Sequence, residues 1–484
     1  MGVTEQLARF AIETDGRFLT LAMAESAKSK ILDTFATMIA GSQAPSARIA
    51  LETVRELGGT PQATVIGWGY KTSMPQAGFV NGISAHALEY DDNTAGAGHV
   101  SGCVLPGCLS VAEHLDLSGR GLIEAFAMGF EVFCRMAHGL RPFIIDRGWH
   151  PQAVLGGQGV AVAACRMFGL DQMTARMAMG IVASSATGVR KNVGSMGKAF
   201  HVGNGVRAGI LAAMLARNQF EVDPDIIEGS DEVADGHERF GLADTFNGIG
   251  NYRLERMVED LGDTFELTRN TTMVRLHPGS SAPGAAIDGM IDLAISHALS
   301  DAQVEEIHLE CTPECFAIAP YKEPTDVYKA KFCLRYTMAV AFIDRKVGLE
   351  QYSPTRIRDE RVLSLMHRVT VSVPDDLKRH KGQWGENGVN WGEARISVRL
   401  KDGSVLRQAC SHAKGWPERP ASWQDLCEKF EDCASPVLDS LQIRDAIAMI
   451  ATLEEQHSVR ALVKLLVPAR VNGRRPRPPS LEEL

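Results

Sequence analysis

The first 265 or so residues are rich in small and apolar side chains at helical spacing, and this pattern most constrains the fold. Ala27, Ile31, Phe35 and Ile39 recur every four positions, and Gly41 follows as a helix stop. Later segments are apolar on nearly all sides, which is typical of helices packed inside a protein. Besides a short strand at 63–66, the pattern predicts helices at 77–89, 104–115, 122–138, 154–168, 175–185 and 205–216.

The periodicity changes after about Phe265. Apolar residues alternate with polar ones at 307–311, 369–373 and 396–406, where a Lys-Asp-Gly turn indicates a hairpin. Helices are predicted among these strands at 285–298 and 327–343, and the chain becomes helical again from about residue 435. We therefore expect a mainly α protein with an α+β part. The predicted divisions are a helical domain at 1–265 completed by 435–470, an α+β lid domain at 266–434 and a mobile tail at 471–484.

The charge balance limits the possible partners. Against 50 lysines and arginines stand 59 aspartates and glutamates, a formal net charge of -9 over 484 residues. This balance disfavours a generally basic nucleic-acid binder. An anionic ligand would need a locally basic site on an acidic protein.

The ten cysteines are scattered without a CxxC pair, as expected of free thiols in a reducing compartment. The first residues lack the basic and apolar regions of a signal peptide, and no uninterrupted apolar run reaches 18 residues. We expect a cytoplasmic protein that does not span a membrane.

The densest polar stretch carries Glu89, Asp91 and Asp92, followed by Asn93 and His99. Three carboxylates at the predicted end of an apolar helix require compensation, because the helix dipole disfavours negative charge there. A solvated helix end is one interpretation. A metal site formed by Asp91, Asp92 and His99 is another, although its spacing matches no defined metal motif.

Cations gather farther along the chain. Arg190, Lys191, Lys198 and His201 lie in a Gly-rich stretch that we expect to be a loop entering a helix, and Arg207 lies within that helix. Backbone N–H groups at a helix start, surrounded by cations, are typical of a carboxylate or phosphate site. A plain surface loop is the alternative. The glycine spacing only faintly resembles a dinucleotide fingerprint, and no strand precedes it.

Single residues add to these clusters. His150, between Trp149 and Pro151, opens a helix whose N-terminus would lower the pKa of its ring. His277 lies in a segment with prolines and glycines, and Tyr321 lies between two prolines; both segments are equally typical of hinges. Together these groups favour proton transfer next to a carboxylate without a cofactor, with cations stabilising the developing negative charge.

At these residues the chain resembles the MmgE/PrpD family, which contains 2-methylcitrate dehydratases, cis-aconitate decarboxylases and iminodisuccinate epimerases. The resemblance is carried in order by residues 79–82, 85–92, 99, 148–151 (GWHP), 194–201 (GSMGKAFH) and 328–332. It implies a helical domain built from both chain ends, a smaller α+β lid domain, a homodimer, and metal-free chemistry on small di- or tricarboxylates.

The resemblance also implies roles for individual residues. The catalytic positions of the family fall on Glu89, His99, His150, Lys198 and Tyr321. Substrate-binding roles are expected for the flanking polar residues, which are Asp91, Asp92, Asn93, Lys191, His201, Arg207 and His277. The chain departs from the family pattern in having Glu89 for an aspartate and Asn93 for a hydroxyl residue. The turn at 279–284 also lacks the usual histidine, and His277 precedes it.

Three functions remain open from the sequence. The first is a cofactor-free lyase that dehydrates or decarboxylates a small polycarboxylate. The second is an epimerase of an amino- or imino-dicarboxylate, because the string from Arg190 to His201 looks particularly like the epimerase branch. The third is a homologue with altered or lost catalysis, for which the missing histidine argues.

Overall fold

The structure is a computed structural model that describes residues 1–141, 143–228, 240–379 and 392–469. The chain forms two compact units. One comprises residues 1–271 together with the chain from residue 426 onward, and the other comprises residues 272–425. The sequence predicts the boundaries between the helical and the α+β parts at residues 265/266 and 434/435. The predicted mobile tail at 471–484 lies outside the described residues.

The first unit is helical, as its small-residue pattern predicts. Its elements before residue 272 are α1 Val3–Glu13, α2 Leu21–Gly41, α3 Pro45–Leu57, β1 Ala63–Val65, β2 Tyr70–Thr72, α4 Met74–His86, β3 Asn93–Thr94, α5 Ser101–Leu115, α6 Gly119–Leu140, α7 Phe143–Asp146, α8 Pro151–Met167, α9 Gln172–Ala183, α10 Met196–Arg217, α11 Leu242–Asn247 and α12 Glu255–Val258.

Glycines explain how these helices pack so closely. A Cβ added to Gly129 of α6 would lie 2.7 Å from the carbonyl oxygen of Gly159 in α8, and one added to Gly159 would lie 2.6 Å from that of Gly129. The two backbones can approach this closely only because neither residue has a side chain. The small residues of the sequence are therefore a packing feature of the helical core.

One helix, α10, meets the length and composition expected of a membrane span among the described residues. Its most apolar window is 61% buried inside the protein. A core helix passes the same test of length and composition, and α10 packs closely against α4 and α8.

The second unit combines helices with a mixed sheet. Its elements are β4 Thr272–Met273, α13 Gly284–Ser296, β5 Val304–Cys311, α14 Pro313–Ile318, α15 Val327–Lys331, α16 Leu334–Asp344, α17 Glu360–Met366, β6 Val369–Ser372, β7 Ala394–Leu400 and β8 Val405–Cys410. The strand order is β6–β5–β7–β8. Strand β5 pairs in parallel with β6 and antiparallel with β7, so that Leu309 lies between Val371 and Ile396.

The secondary structure predicted for the second unit was mostly confirmed, and one predicted helix was wrong. The predicted hairpin is β7–β8. The single helix expected at 327–343 is wrong, because it divides into α15 and α16. The backbone of Cys333 leaves the helix to form a bridge with Pro320.

The chain then returns to the first unit through α18 Trp423–Ala434, α19 Ser440–Ala451 and α20 Val459–Leu465. The architecture is thus mainly α with a smaller α+β part, which confirms the predicted fold class. All ten cysteines are free thiols, as predicted.

Candidate active site

The acidic stretch lies just after α4 rather than at the end of that helix. Helix α4 ends at His86, and Glu89 has a φ of +54°. A left-handed conformation costs a residue other than glycine about 1–2 kcal/mol. Such strain persists only where surrounding contacts impose it, and it is frequent at functional sites. The prediction that the carboxylates belong to the helix is therefore corrected: they belong to a strained segment, residues 87–93.

Two histidines hold the carboxylate of Asp91. Its Oδ2 lies 2.8 Å from Nδ1 of His86 and 3.4 Å from Nδ1 of His99. His99 also donates from Nδ1 to the carbonyl oxygen of Asp92 at 2.7 Å. Gly102 permits this arrangement, since a Cβ there would lie 2.9 Å from Oδ2 of Asp91. Segment 87–93 and the start of α5 therefore form one hydrogen-bonded cluster.

Asp92 lies beneath this cluster and is fully buried. Its Oδ2 accepts a hydrogen bond from the hydroxyl of Ser101. Burial, with the nearby carboxylate of Asp33 adding to the effect, raises the pKa of Asp92 to about 7. The same burial lowers the pKa of the Lys30 ammonium. Asp92 can therefore gain or lose a proton near neutral pH.

His150 and His201 meet on the other side of His86. His150 precedes Pro151 at the start of α8, and its backbone N–H donates to the carbonyl of Gly188 at 2.8 Å. The Nδ1 atoms of His150 and His201 lie 3.2 Å apart. One of them must donate and the other accept, so at least one ring is neutral.

Burial lowers the pKa of both rings. For His150 the pKa falls well below its ordinary value, and the positive charge of Lys198 lowers it further. The expectation that helix-end position would depress this pKa named the right direction, but the largest cause is burial.

Four imidazoles thus form a row. The ring of His86 lies 4.6 Å from that of His99 and 6.2 Å from that of His150, measured between centroids. The ring of His150 lies 5.2 Å from that of His201. The row provides several neighbouring groups that can exchange protons.

Lys198 closes the cluster on the side of Glu89. Its Nζ lies 2.5 Å from Oε2 of Glu89, and each side chain is 13% exposed. Helix α10 begins at Met196, capped by Ser195, so Lys198 and His201 lie in its first turns. The prediction that they occupy a loop is wrong. Ser195 supplies an N-cap, and the helix forms although Gly197 and Gly203 lower its intrinsic propensity, because its inward side is buried against α4 and α8.

The structure does not bring every predicted cation to this cluster. Lys191 is exposed in the short turn that precedes α10. Arg207 donates to Oδ1 of Asn204 at 2.8 Å and packs over the ring of Phe79. Nine residues separate it from Lys198, which places the two on opposite faces of α10 at about 100° per residue. Asn93 is buried in β3.

Tyr321 and His277 belong to the second unit. Both ring nitrogens of His277 face acceptors there, with Nδ1 3.0 Å from the carbonyl of Val347 and Nε2 2.9 Å from Oδ1 of Asp288. Tyr321 is half-buried against the core of that unit. The roles expected for these two residues stay predictions.

Sequence reasoning missed His86 and Ser101. His86 begins the polar stretch, but nothing in its spacing distinguished it from a helix-end histidine. By ligand type, His86, Asp91 and His99 could hold a metal ion, because their ligand atoms lie within 4.8 Å of one another. This set differs from the alternative suggested by the sequence, which had Asp92 instead of His86.

Comparison with known proteins gives the chain its relatives. The model of the MmgE/PrpD N-terminal domain matches residues 5–239, and that of the C-terminal domain matches residues 277–455. A cis-aconitate decarboxylase of Homo sapiens is 26% identical over 93% of the chain and 91% of its own length. That of Mus musculus is 24% identical over 96% and 93%, and that of Aspergillus terreus is 23% identical over 96% of each.

Proposed function

Because the chain belongs to the MmgE/PrpD family, we propose that it is a lyase that acts on a small tricarboxylic acid by proton transfer next to a carboxylate. The observation that carries the proposal is the buried pair of His150 and His201, whose Nδ1 atoms lie 3.2 Å apart. The ammonium of Lys198, which pairs with Glu89, acts electrostatically on His150. Neutral imidazoles can accept or deliver a proton, and a largely buried ammonium can bind a carboxylate.

Cis-aconitate, named for several relatives, illustrates the chemistry. The bond from its CH2 group to a carboxylate breaks, CO2 leaves, and the electron pair forms a new C=C bond with the central carbon. The former double-bond electrons move to the neighbouring carbon, where the adjacent carboxylate stabilises them as an enediolate. A proton delivered to that carbon completes the reaction. These steps balance without an oxidant or reductant, and we propose that they need no cofactor.

The residues divide these tasks as follows. Lys198 and His201 bind substrate carboxylates, and Lys198 also stabilises the enediolate charge. His99 or His150 delivers the proton. Glu89, Asp91 and Asp92 orient these groups. Tyr321 as a catalytic group, and Asn93, Lys191, Arg207 and His277 as ligands, keep the roles that the family resemblance implies, as predictions.

An epimerase is the second candidate. It requires two proton-transfer groups on opposite faces of one carbon, and the row of imidazoles offers more than one such group. The resemblance of 190–201 to the epimerase branch favours it. A homologue with altered catalysis is the third.

One experiment separates these candidates. The purified protein is incubated in D2O with cis-aconitate, 2-methylcitrate, citrate and iminodisuccinate, and the products are followed by NMR. New alkene signals, with or without loss of CO2, support the lyase. Deuterium at an α-carbon without net conversion supports the epimerase. Absence of both turnover and exchange with all four acids would overturn both enzyme proposals.

We also propose a homodimer in the cytoplasm. Met196, Phe200 and Leu211 are 54%, 45% and 46% exposed on α10. Their spacing places them within about 60° of one another around the helix, on the face opposite Lys198. We call these three side chains the apolar stripe; Arg207 lies on the same face of α10, and Val189 and Val193, just before the helix, are also exposed. Exposed apolar side chains grouped on one face are typical of an interface. A second copy of this chain is the proposed partner.

A further inference from the structure

Segment 87–93 carries Glu89, Asp91 and Asp92 on a backbone that is strained at Glu89. The N–H of Glu89 reaches the carbonyl of His86 only at 3.4 Å, and Glu89 is left-handed. A strained segment that must place carboxylates accurately needs support from elsewhere in the fold. That support comes from a residue far away in the chain.

We propose that Lys429 is a positioning residue for this site, a role that rests on the proposed function. Lys429 lies on α18, 339 positions after Tyr90. Its Nζ donates to the backbone carbonyl of Tyr90 at 2.8 Å and lies 4.0 Å from the centroid of the Tyr90 ring. The ammonium thus contacts both the backbone and the side chain of Tyr90, the residue between Glu89 and Asp91.

The charge of Lys429 is itself held in place. Its Nζ lies 2.6 Å from Oδ1 of Asp33 on α2, and the two side chains are 2% and 0% exposed. A carboxylate, a backbone carbonyl and an aromatic ring thus surround this buried ammonium and fix its position. Lys429 therefore joins α18, α2 and segment 87–93 through one atom.

The contact of Lys429 with Tyr90 affects the neighbouring carboxylates of Glu89 and Asp91 through the backbone that they share. With the Tyr90 carbonyl fixed, Glu89 presents its carboxylate to Lys198 and Asp91 presents its own to His86. Without the Lys429 donor, the Tyr90 carbonyl loses this hydrogen bond, and the strained backbone of Glu89 loses a neighbouring contact that helps to fix it. We expect the carboxylates to lose their positions while the helices around them stay folded.

The principal variant removes a buried ion pair as a whole, so that it leaves no buried charge unpaired. The double variant Asp33→Asn/Lys429→Met removes both charges together with the donor to Tyr90. Lys28→Met/Glu454→Gln is the matched control, because Lys28 is also buried on α2 and bonds a carbonyl, that of Ala451, and a carboxylate, that of Glu454. Asp33→Asn alone keeps Lys429 and its donor.

Two readouts are measured in all variants. Amide hydrogen exchange across 87–93 is expected to quicken at least about tenfold in the Lys429 double variant, relative to the control pair and to Asp33→Asn. On whichever carboxylic acid the wild type turns over, kcat is expected to fall about 100-fold with KM changed much less, as for a misplaced catalytic group. Exchange at 87–93 equal to that of the control would overturn the proposal, as would an unchanged kcat. If the wild type turns over none of the acids, the proposed function fails, and the exchange readout alone still decides the role of Lys429.

Discussion

The Nδ1 atoms of His150 and His201 lie 3.2 Å apart, so these two buried imidazoles share a single hydrogen bond. One ring must present a lone pair to the other, and a doubly protonated pair is excluded by geometry. Burial and the charge of Lys198 hold the pKa of His150 well below its usual range. We therefore expect the pair to take up a proton when a negatively charged substrate binds next to it.

Binding of a tricarboxylate is expected to be coupled to proton uptake near pH 7. Substrate carboxylates bring negative charge next to His150, which raises its depressed pKa toward neutrality. Calorimetric titration with tricarballylate, a saturated tricarboxylate, in buffers of different ionisation enthalpy measures the uptake. It should be lost in His150→Gln and retained in His297→Gln, a change at an exposed histidine. Binding enthalpies of the wild type that do not depend on the buffer would contradict this mechanism.

Removing the Lys198 ammonium is expected to lower kcat/KM by about 10- to 100-fold, because a hydrogen bond to a charged group contributes about 1.5–3 kcal/mol. Lys198→Met is compared with Lys464→Met, which alters an exposed lysine on α20 that has no predicted role in the site. Steady-state kinetics on the accepted acid is the measurement. Full activity in Lys198→Met would remove this residue from the carboxylate site.

Asp92→Asn is expected to stabilise the first unit more at pH 7 than at pH 5. The folded pKa of Asp92 is raised from 3.8 to about 7, so the folded state binds a proton more tightly than the unfolded state between these values. Stability is then lost as pH rises through this window, by about 2 kcal/mol from pH 5 to pH 7. The asparagine, which is isosteric with the aspartate, does not titrate and escapes this loss.

Thermal unfolding at both pH values tests this expectation, and Asp445→Asn, at an exposed position on α19, serves as the control. The groups facing Asp92 that contribute to its pKa are Asp33, Asp91, Lys30 and Ser101. An equal change in melting temperature at pH 5 and pH 7 would show that Asp92 does not titrate in this range.

Phe200→Glu is expected to convert a dimer into a monomer. The substitution places a charge in the apolar stripe on α10, and burying an unpaired charge in an interface is costly. Leu441→Glu is the matched control, because Leu441 is 55% exposed on α19, away from the stripe. Sedimentation velocity at micromolar concentration gives the oligomeric state. A monomeric wild type would refute the dimer.

Much of the fold followed from local patterns. The four-residue spacing of Ala27, Ile31 and Phe35 predicted α2, and alternation predicted β5 and the β7–β8 hairpin. The family, too, was identified from the order of its motifs. The errors arose where local signals were misleading. Two glycines suggested a loop where Ser195 begins α10, and apolar spacing across Cys333 hid a break in the helix.

The sequence by itself determined which residue types gather near the site and which segments become helices, because both depend on neighbours within a few positions. Only the tertiary structure decided that His86 joins Asp91 and that Lys429 reaches Tyr90 across 339 positions. It also decided the raised pKa of Asp92 and the left-handed turn at Glu89. Burial, desolvation and backbone strain are set by how distant helices pack together, and no local pattern of residues contains that information.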